Sequence, residues 1–144
     1  MVVPPAVIVH GLADARVALA PGLPVTLLSA QGAALYAGCG WWHALVATAR
    51  AEFPGTEVVD ILDCADGSGQ AMAALRIGVT RLVLWPSAPG RSAVEAIVSE
   101  RGGLVLEAAP PTLDLAQSGA RRHVLTWLRG VPAGAIRDKR GVLG

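Results

Sequence analysis

Short runs of aliphatic and β-branched residues recur along this chain, each closed by a turn signal and followed by a segment with helical spacing. Ala6-Val7-Ile8-Val9 ends at His10-Gly11, and Val25-Thr26-Leu27-Leu28 ends at the polar break Ala30-Gln31-Gly32. Val58 to Asp63 turns at Cys64 to Gly69, Leu82-Val83-Leu84-Trp85 stops at Pro86, and Leu104-Val105-Leu106 stops before Pro110-Pro111. Strands separated by helix-length segments cannot pair as hairpins, so the alternation demands parallel strands joined by right-handed crossovers. Five such runs are too few for an eight-stranded barrel. The expected fold is therefore α/β, an open, mostly parallel, five-stranded doubly wound sheet with helices on both faces, a flavodoxin-like or Rossmann-like three-layer sandwich.

The helical segments are legible to different degrees. Residues 12–20, 69–77 and 90–101 suit short helices bounded by Pro21-Gly22, Gly78 and Gly102-Gly103. Leu35, Cys39, Trp42, Val46, Ala49 and Phe53 recur at helical spacing, so one helix can run over 33–53. Gly38 and Gly40 each oppose it by about 1 kcal/mol relative to Ala, and the alternative is a loop or short strand followed by a helix starting near Trp41. A last helix over about 112–129 is expected from Leu113, Ala116, Ala120, Val124 and Trp127 on one face.

With 144 residues, 53% hydrophobic and 16% charged, the chain has the balance of one buried domain over 1–130 and is not disordered. No Asp, Glu, Lys or Arg occurs between Val17 and Ala49. Pro21, Pro24, Gln31, Gly38, Gly40 and His43 interrupt that stretch, so it reads as a two-sided interior or an interface and not as a membrane span. Net charge is +1, which gives no field to recruit nucleic acid. Residues 121–144 nevertheless carry +5, so a basic tail is expected over 131–144. Cys39 and Cys64 have neither zinc-ligand nor CxxC spacing, and the start lacks a signal-type segment, which points to a reduced, cytoplasmic protein without a metal site.

The segment Val58 to Pro86, containing AMAALRIGVTRLVLWP, resembles the late strand-helix-strand portion of response-regulator receiver domains. That resemblance implies one βαβ unit. It does not extend to phosphotransfer, because His10-Gly11 and Trp85 stand where the family has acidic residues and a Lys.

Ligands of open α/β sheets bind beyond the carboxyl ends of the strands, where strand order reverses. The strand ends here supply His10 and Gly11, Ser29 with Gln31 and Gly32, Asp63 with Cys64, Asp66 and Ser68, Trp85 with Ser87, and Glu107. In the order 2-1-3-4-5 the reversal would bring His10 to Asp63, an acid/base pair with Cys64 as a possible nucleophile. The alternative is that His10 bonds a carbonyl, Asp63 caps a turn and Cys64 is a small buried hydrophobe. Asp66-Gly67-Ser68-Gly69 opens a helix and could hold an anion or merely cap it. No Walker loop, nucleophile elbow or HExxH motif is present, and no cofactor is indicated.

Trp41 and Trp42 are about 100° apart on a helix, so at most one is fully buried, and the other is free for a partner copy or a planar ligand. Two functions follow as expectations. The first is a self-associating binding or assembly module, with small-molecule binding at the strand ends; the second is a small metabolic enzyme using His10 and Asp63.

Overall fold

The structure is a computed structural model, and it describes residues 3–130. The expected basic tail, 131–144, lies outside the described residues. The chain forms an α/β fold, a single open sheet of six parallel strands flanked by helices, in keeping with a flavodoxin-like or Rossmann-like architecture. Its strands are β1 (Ala6–Ile8), β2 (Val25–Leu28), β3 (Val58–Asp63), β4 (Arg81–Val83), β5 (Leu104–Leu106) and β6 (Thr112–Asp114). The helices are α1 (Leu12–Leu19), α2 (Ala33–Tyr36), α3 (Cys39–Glu52), α4 (Ser68–Arg76), α5 (Arg91–Glu100) and α6 (Val124–Leu128), the last entered through a 3-10 turn over Ala120–His123. Among the described residues no helix is long and apolar enough to cross a membrane.

One expectation is corrected and one open alternative is decided, in favour of a separate helix starting near Trp41 but preceded by a short helix instead of a loop or strand. The sheet has six strands, because Thr112-Leu113-Asp114 pairs with β1 instead of opening a helix over 112–129. Asp114 ends the strand by turning the chain: its Oδ1 accepts the Ala116 N–H at 2.9 Å and its carbonyl accepts the Gln117 N–H at 3.0 Å. Gly119 then adopts φ +78°, and helix begins only after it. Between 33 and 53, Gly38 at φ +86° separates α2 from α3. In α3 the residues Trp42, Leu45, Val46 and Ala49 form the buried stripe, one heptad-like face of a 14-residue helix.

Strand order is 5-4-3-2-1-6. Connections from β1 to β5 therefore step in one direction, and right-handed crossovers of that kind lay their helices side by side. Each helix touches the next, α1 against α3, α3 against α4 and α4 against α5. Their buried side chains, Ala15, Leu19, Trp42, Leu75 and Val98 among them, join Val7, Leu27, Leu62 and Leu82 in the larger of two apolar clusters. The smaller cluster, Leu28, Ile61 and Val83, is fully buried and is packed by Ile8, Val59, Trp85 and Leu106, all from strands or strand ends.

Chain length dictates the curvature of this sheet. From Leu106 at the end of β5 to Thr112 at the start of β6 there are six Cα steps, a reach of at most ~22 Å. Five inter-strand spacings of a flat sheet measure ~24 Å before any return along the strand is added. A flat sheet is excluded, and the two edges must curl toward each other. Leu28, Ile61 and Val83 are fully buried on the side where their apolar neighbours, Ile8, Val59, Trp85 and Leu106, come from strands or strand ends, as inward curling of the sheet on that side would give.

Candidate functional site

Strand order reverses between β1 and β6, not between β1 and β3. Asp63 is thus separated from His10 by β2, two strand spacings or roughly 9.5 Å, and the expected His10–Asp63 pair is not formed. His10 instead meets a carboxylate from β6: its Nε2 lies 2.7 Å from Asp114 Oδ1. A carboxylate oxygen accepts, so Nε2 carries a proton; in the neutral imidazole Nδ1 then keeps its lone pair. Both side chains reach solvent, at 36% and 29% exposure.

A second carboxylate fixes the backbone of the histidine. Asp14 stands in the first turn of α1, where the helix N-terminus favours negative charge. Its Oδ2 accepts the His10 N–H at 2.9 Å and its Oδ1 pairs with Arg121 at 2.6 Å. Arg121, Asp14, His10 and Asp114 form one chain of contacts that ties the β1–α1 turn to the segment after β6. The alternation of apolar runs exposed His10 as a strand-end residue. Asp114 was hidden inside an assumed helix, and Asp14 and Arg121 carried no motif; the four-residue spacing of His10 and Asp14 was the one local signal.

The other strand-end residues serve the loops. Asp63 is 2% exposed and its Oδ1 accepts two backbone N–H groups, from Gly32 at 3.1 Å and Ala65 at 2.9 Å. Ser29 is buried, accepting the Asp63 N–H at 2.9 Å and donating to the Ala30 carbonyl. Gly32 precedes α2 at φ +69°, and Gly11 precedes α1 in extended conformation. Burial pushes the Cys64 thiol up to about 12, with the Asp63 carboxylate and Cys39 adding to it. A protonated, enclosed thiol is not a nucleophile at neutral pH. Ser68 donates to the Pro89 carbonyl, and α4 is preceded by Gly67 without a side-chain cap from Asp66 or Ser68. Gln31, Asp66, Ser87 and Glu107 are exposed.

Two cavities lie elsewhere. One of about 240 Å³ is lined by Pro4, Pro5, Pro110, Pro111 and Trp127 at the amino ends of β1 and β6. The other, about 210 Å³, holds His43, Arg50 and Asp60, where Arg50 already binds the Asp60 carboxylate at 2.7 Å and the Val58 carbonyl at 2.9 Å. The surface also carries an uncharged apolar tip: Leu35 is 46% exposed, Tyr36 71% and Trp41 36%, while Trp42 beside it is fully buried.

Comparison of the chain with protein-family models, with curated proteins and with solved structures gave no match.

Proposed function

We propose that this is a cytoplasmic domain that binds a small polar molecule at the carboxyl ends of β1 and β6 and transfers a proton to or from it through His10. The supporting observation is the 2.7 Å contact of His10 Nε2 with Asp114 Oδ1 at the reversal of strand order. In that arrangement Asp114 selects the tautomer, Nδ1 faces the ligand as base, and the Arg121–Asp14 pair holds the histidine backbone in place. Nitrogen-15 NMR of the imidazole tests the chemistry: Nε2–H is the expected tautomer in the native protein, and mixed tautomers are expected in Asp114→Asn. Ligand-observed NMR with a panel of soluble metabolites tests the function. A compound bound by the native protein and lost in His10→Ala supports the reading, whereas binding indifferent to His10, or none across the panel, refutes it.

A second reading, a self-associating module, is favoured by a different feature. Leu35, Tyr36 and Trp41 are exposed within seven residues of one another on a stretch without charge, and Tyr and Trp are typical interface anchors. Light scattering of the native chain and of Tyr36→Lys separates the two: a dimer dispersed by the lysine supports assembly, and a micromolar monomer removes it.

A further inference from the structure

Side chains alternate along β3. Val58 and Leu62 join the apolar cluster that the helices share, and Asp60 between them, level with Leu27, takes the same side of the sheet. A carboxylate in that row is costly unless a cation and hydrogen bonds meet it. Arg50, in the last turn of α3, supplies them: its Nη2 donates to Asp60 Oδ1 at 2.7 Å and to the Val58 carbonyl at 2.9 Å. Most of Asp60 is buried, while Arg50 reaches solvent.

The pairing is incomplete on both sides. Asp60 Oδ2 has no hydrogen-bond partner among the described residues, and neither have Nε and Nη1 of Arg50. Both side chains line the cavity of about 210 Å³. One of its walls is α3, where His43, Val46, Ala47 and Arg50 recur at helical spacing. Another is the turn Gly78-Val79 leading into β4, where Gly78 has φ +97° and an added Cβ would meet nothing within 4 Å. No side chain fills the space at that point.

A guanidinium and a carboxylate held side by side, with Nη2 and Oδ1 2.7 Å apart, match one small group in reverse. In a free α-amino acid the ammonium and the carboxylate flank a single carbon. Laid head to tail on the pair, the α-carboxylate accepts from the open N–H groups of Arg50 and the α-ammonium donates to Asp60 Oδ2. A plain anion gains from Arg50 and loses to Asp60, and a plain cation does the reverse. Val46, Ala47 and Val79 add apolar lining, and the volume, below the ~300–1,000 Å³ of sites for drug-sized ligands, suits a small side chain. We infer that this cavity binds a free α-amino acid with a small apolar side chain, its carboxylate on Arg50 and its ammonium on Asp60. The site adjoins the amino end of β4, away from the His10–Asp114 pair beyond the carboxyl end of β1, and does not rest on the small-molecule reading above.

L-Alanine is the probe, with propionate and ethylamine as controls that each keep one of its two charges. Alanine is expected to shift the ring resonances of His43, which lines the cavity, and to leave those of His10 unmoved. Each control should bind roughly tenfold or more weakly, the loss of one charge-assisted hydrogen bond. In Asp60→Asn, which keeps an acceptor for Arg50, alanine affinity should fall by a similar factor. Propionate that binds as tightly as alanine overturns the inference and leaves an anion site on Arg50. Ethylamine that does so overturns it in favour of a cation site on Asp60. His43 silent toward alanine, or a shift at His10 in its place, overturns it as well. The three titrations are read on the native protein, so they decide the inference even where Asp60→Asn does not fold.

Discussion

Asp63 offers the sharpest test of how this sheet edge is built. Its carboxylate is 2% exposed and a single oxygen receives the N–H groups of Gly32 and Ala65. Ala65 sits at φ +48°, a left-handed conformation for a non-glycine residue, which costs on the order of 1 kcal/mol and persists only where neighbours hold it. Asp63→Ala leaves both N–H groups without an acceptor and removes the hold on Ala65. Each bond to a charged acceptor contributes ~1.5–3 kcal/mol, and water reaching the opened loop recovers part, so a net loss of about 3 kcal/mol is expected.

For a domain whose whole stability is of order 5–15 kcal/mol, that is a large fraction. With a urea slope of about 2 kcal/mol per molar, the unfolding midpoint should fall by about 1.5 M. Asp63→Asn keeps an oxygen in place and should lose only about 1 kcal/mol, since the acceptor geometry survives and the charge does not. His10→Ala, by contrast, removes only an exposed pair and should cost under ~1 kcal/mol; Asp114→Ala also takes the acceptor from the Ala116 N–H and should cost about 1–2 kcal/mol. An Asp63→Ala protein within about 1 kcal/mol of the native would refute the reasoning. So would Asn and Ala variants of equal stability, because the charge and not the acceptor would then be the stabilising feature.

Other consequences are smaller in scope. A Cβ on Gly103 would lie 2.1 Å from the Thr80 carbonyl oxygen, which itself accepts the Leu104 N–H at 3.0 Å; Gly103→Ala should cost at least ~2 kcal/mol and raise amide exchange in β5. Cys64 has its thiol raised from 9.0 to about 12 in the folded chain, so the folded state disfavours the thiolate. Stability from this group is complete below pH 9 and declines as pH climbs toward 12; alkaline denaturation that is delayed in Cys64→Ala checks the sign, and iodoacetamide at pH 8 should leave Cys64 unmodified in the native protein. Arg121→Gln loosens Asp14 and should broaden the His10 amide resonance while leaving the Asp114 contact to the ring intact.

The first five strands were legible because each is a compact apolar run between turn residues, and burial within a parallel sheet needs little else. The sixth was not. Three residues after Pro110-Pro111 carry no alternation to read, and Leu113, Ala116, Ala120 and Val124 match a helical period by coincidence, since a strand, a turn and a 3-10 segment separate them. Missing β6 had a direct cost for the site, because the partner of His10 comes from it. Strand order is a long-range property, and without β6 the neighbour of β1 could only be assigned by analogy with the order 2-1-3-4-5.

The strand-end rule itself chose both His10 and Asp63, and the structure gives them opposite duties for a common physical reason. At the carboxyl edge of a parallel sheet every strand must turn, and the turns leave backbone N–H groups in need of acceptors. A polar side chain at that edge therefore serves the backbone first. Asp63 spends its inner oxygen on Gly32 and Ala65 and is sealed at 2% exposure. The β1–α1 turn is served differently: Asp14, from within the helix, takes the His10 N–H. That substitution frees the His10 ring for Asp114 and leaves both at the surface with atoms unclaimed. At the end of β1 the His10 ring is open to chemistry because Asp14 has already met the need of its backbone. Asp114, at the end of β6, serves its own turn and the His10 ring through one oxygen, Oδ1, and keeps the other unclaimed.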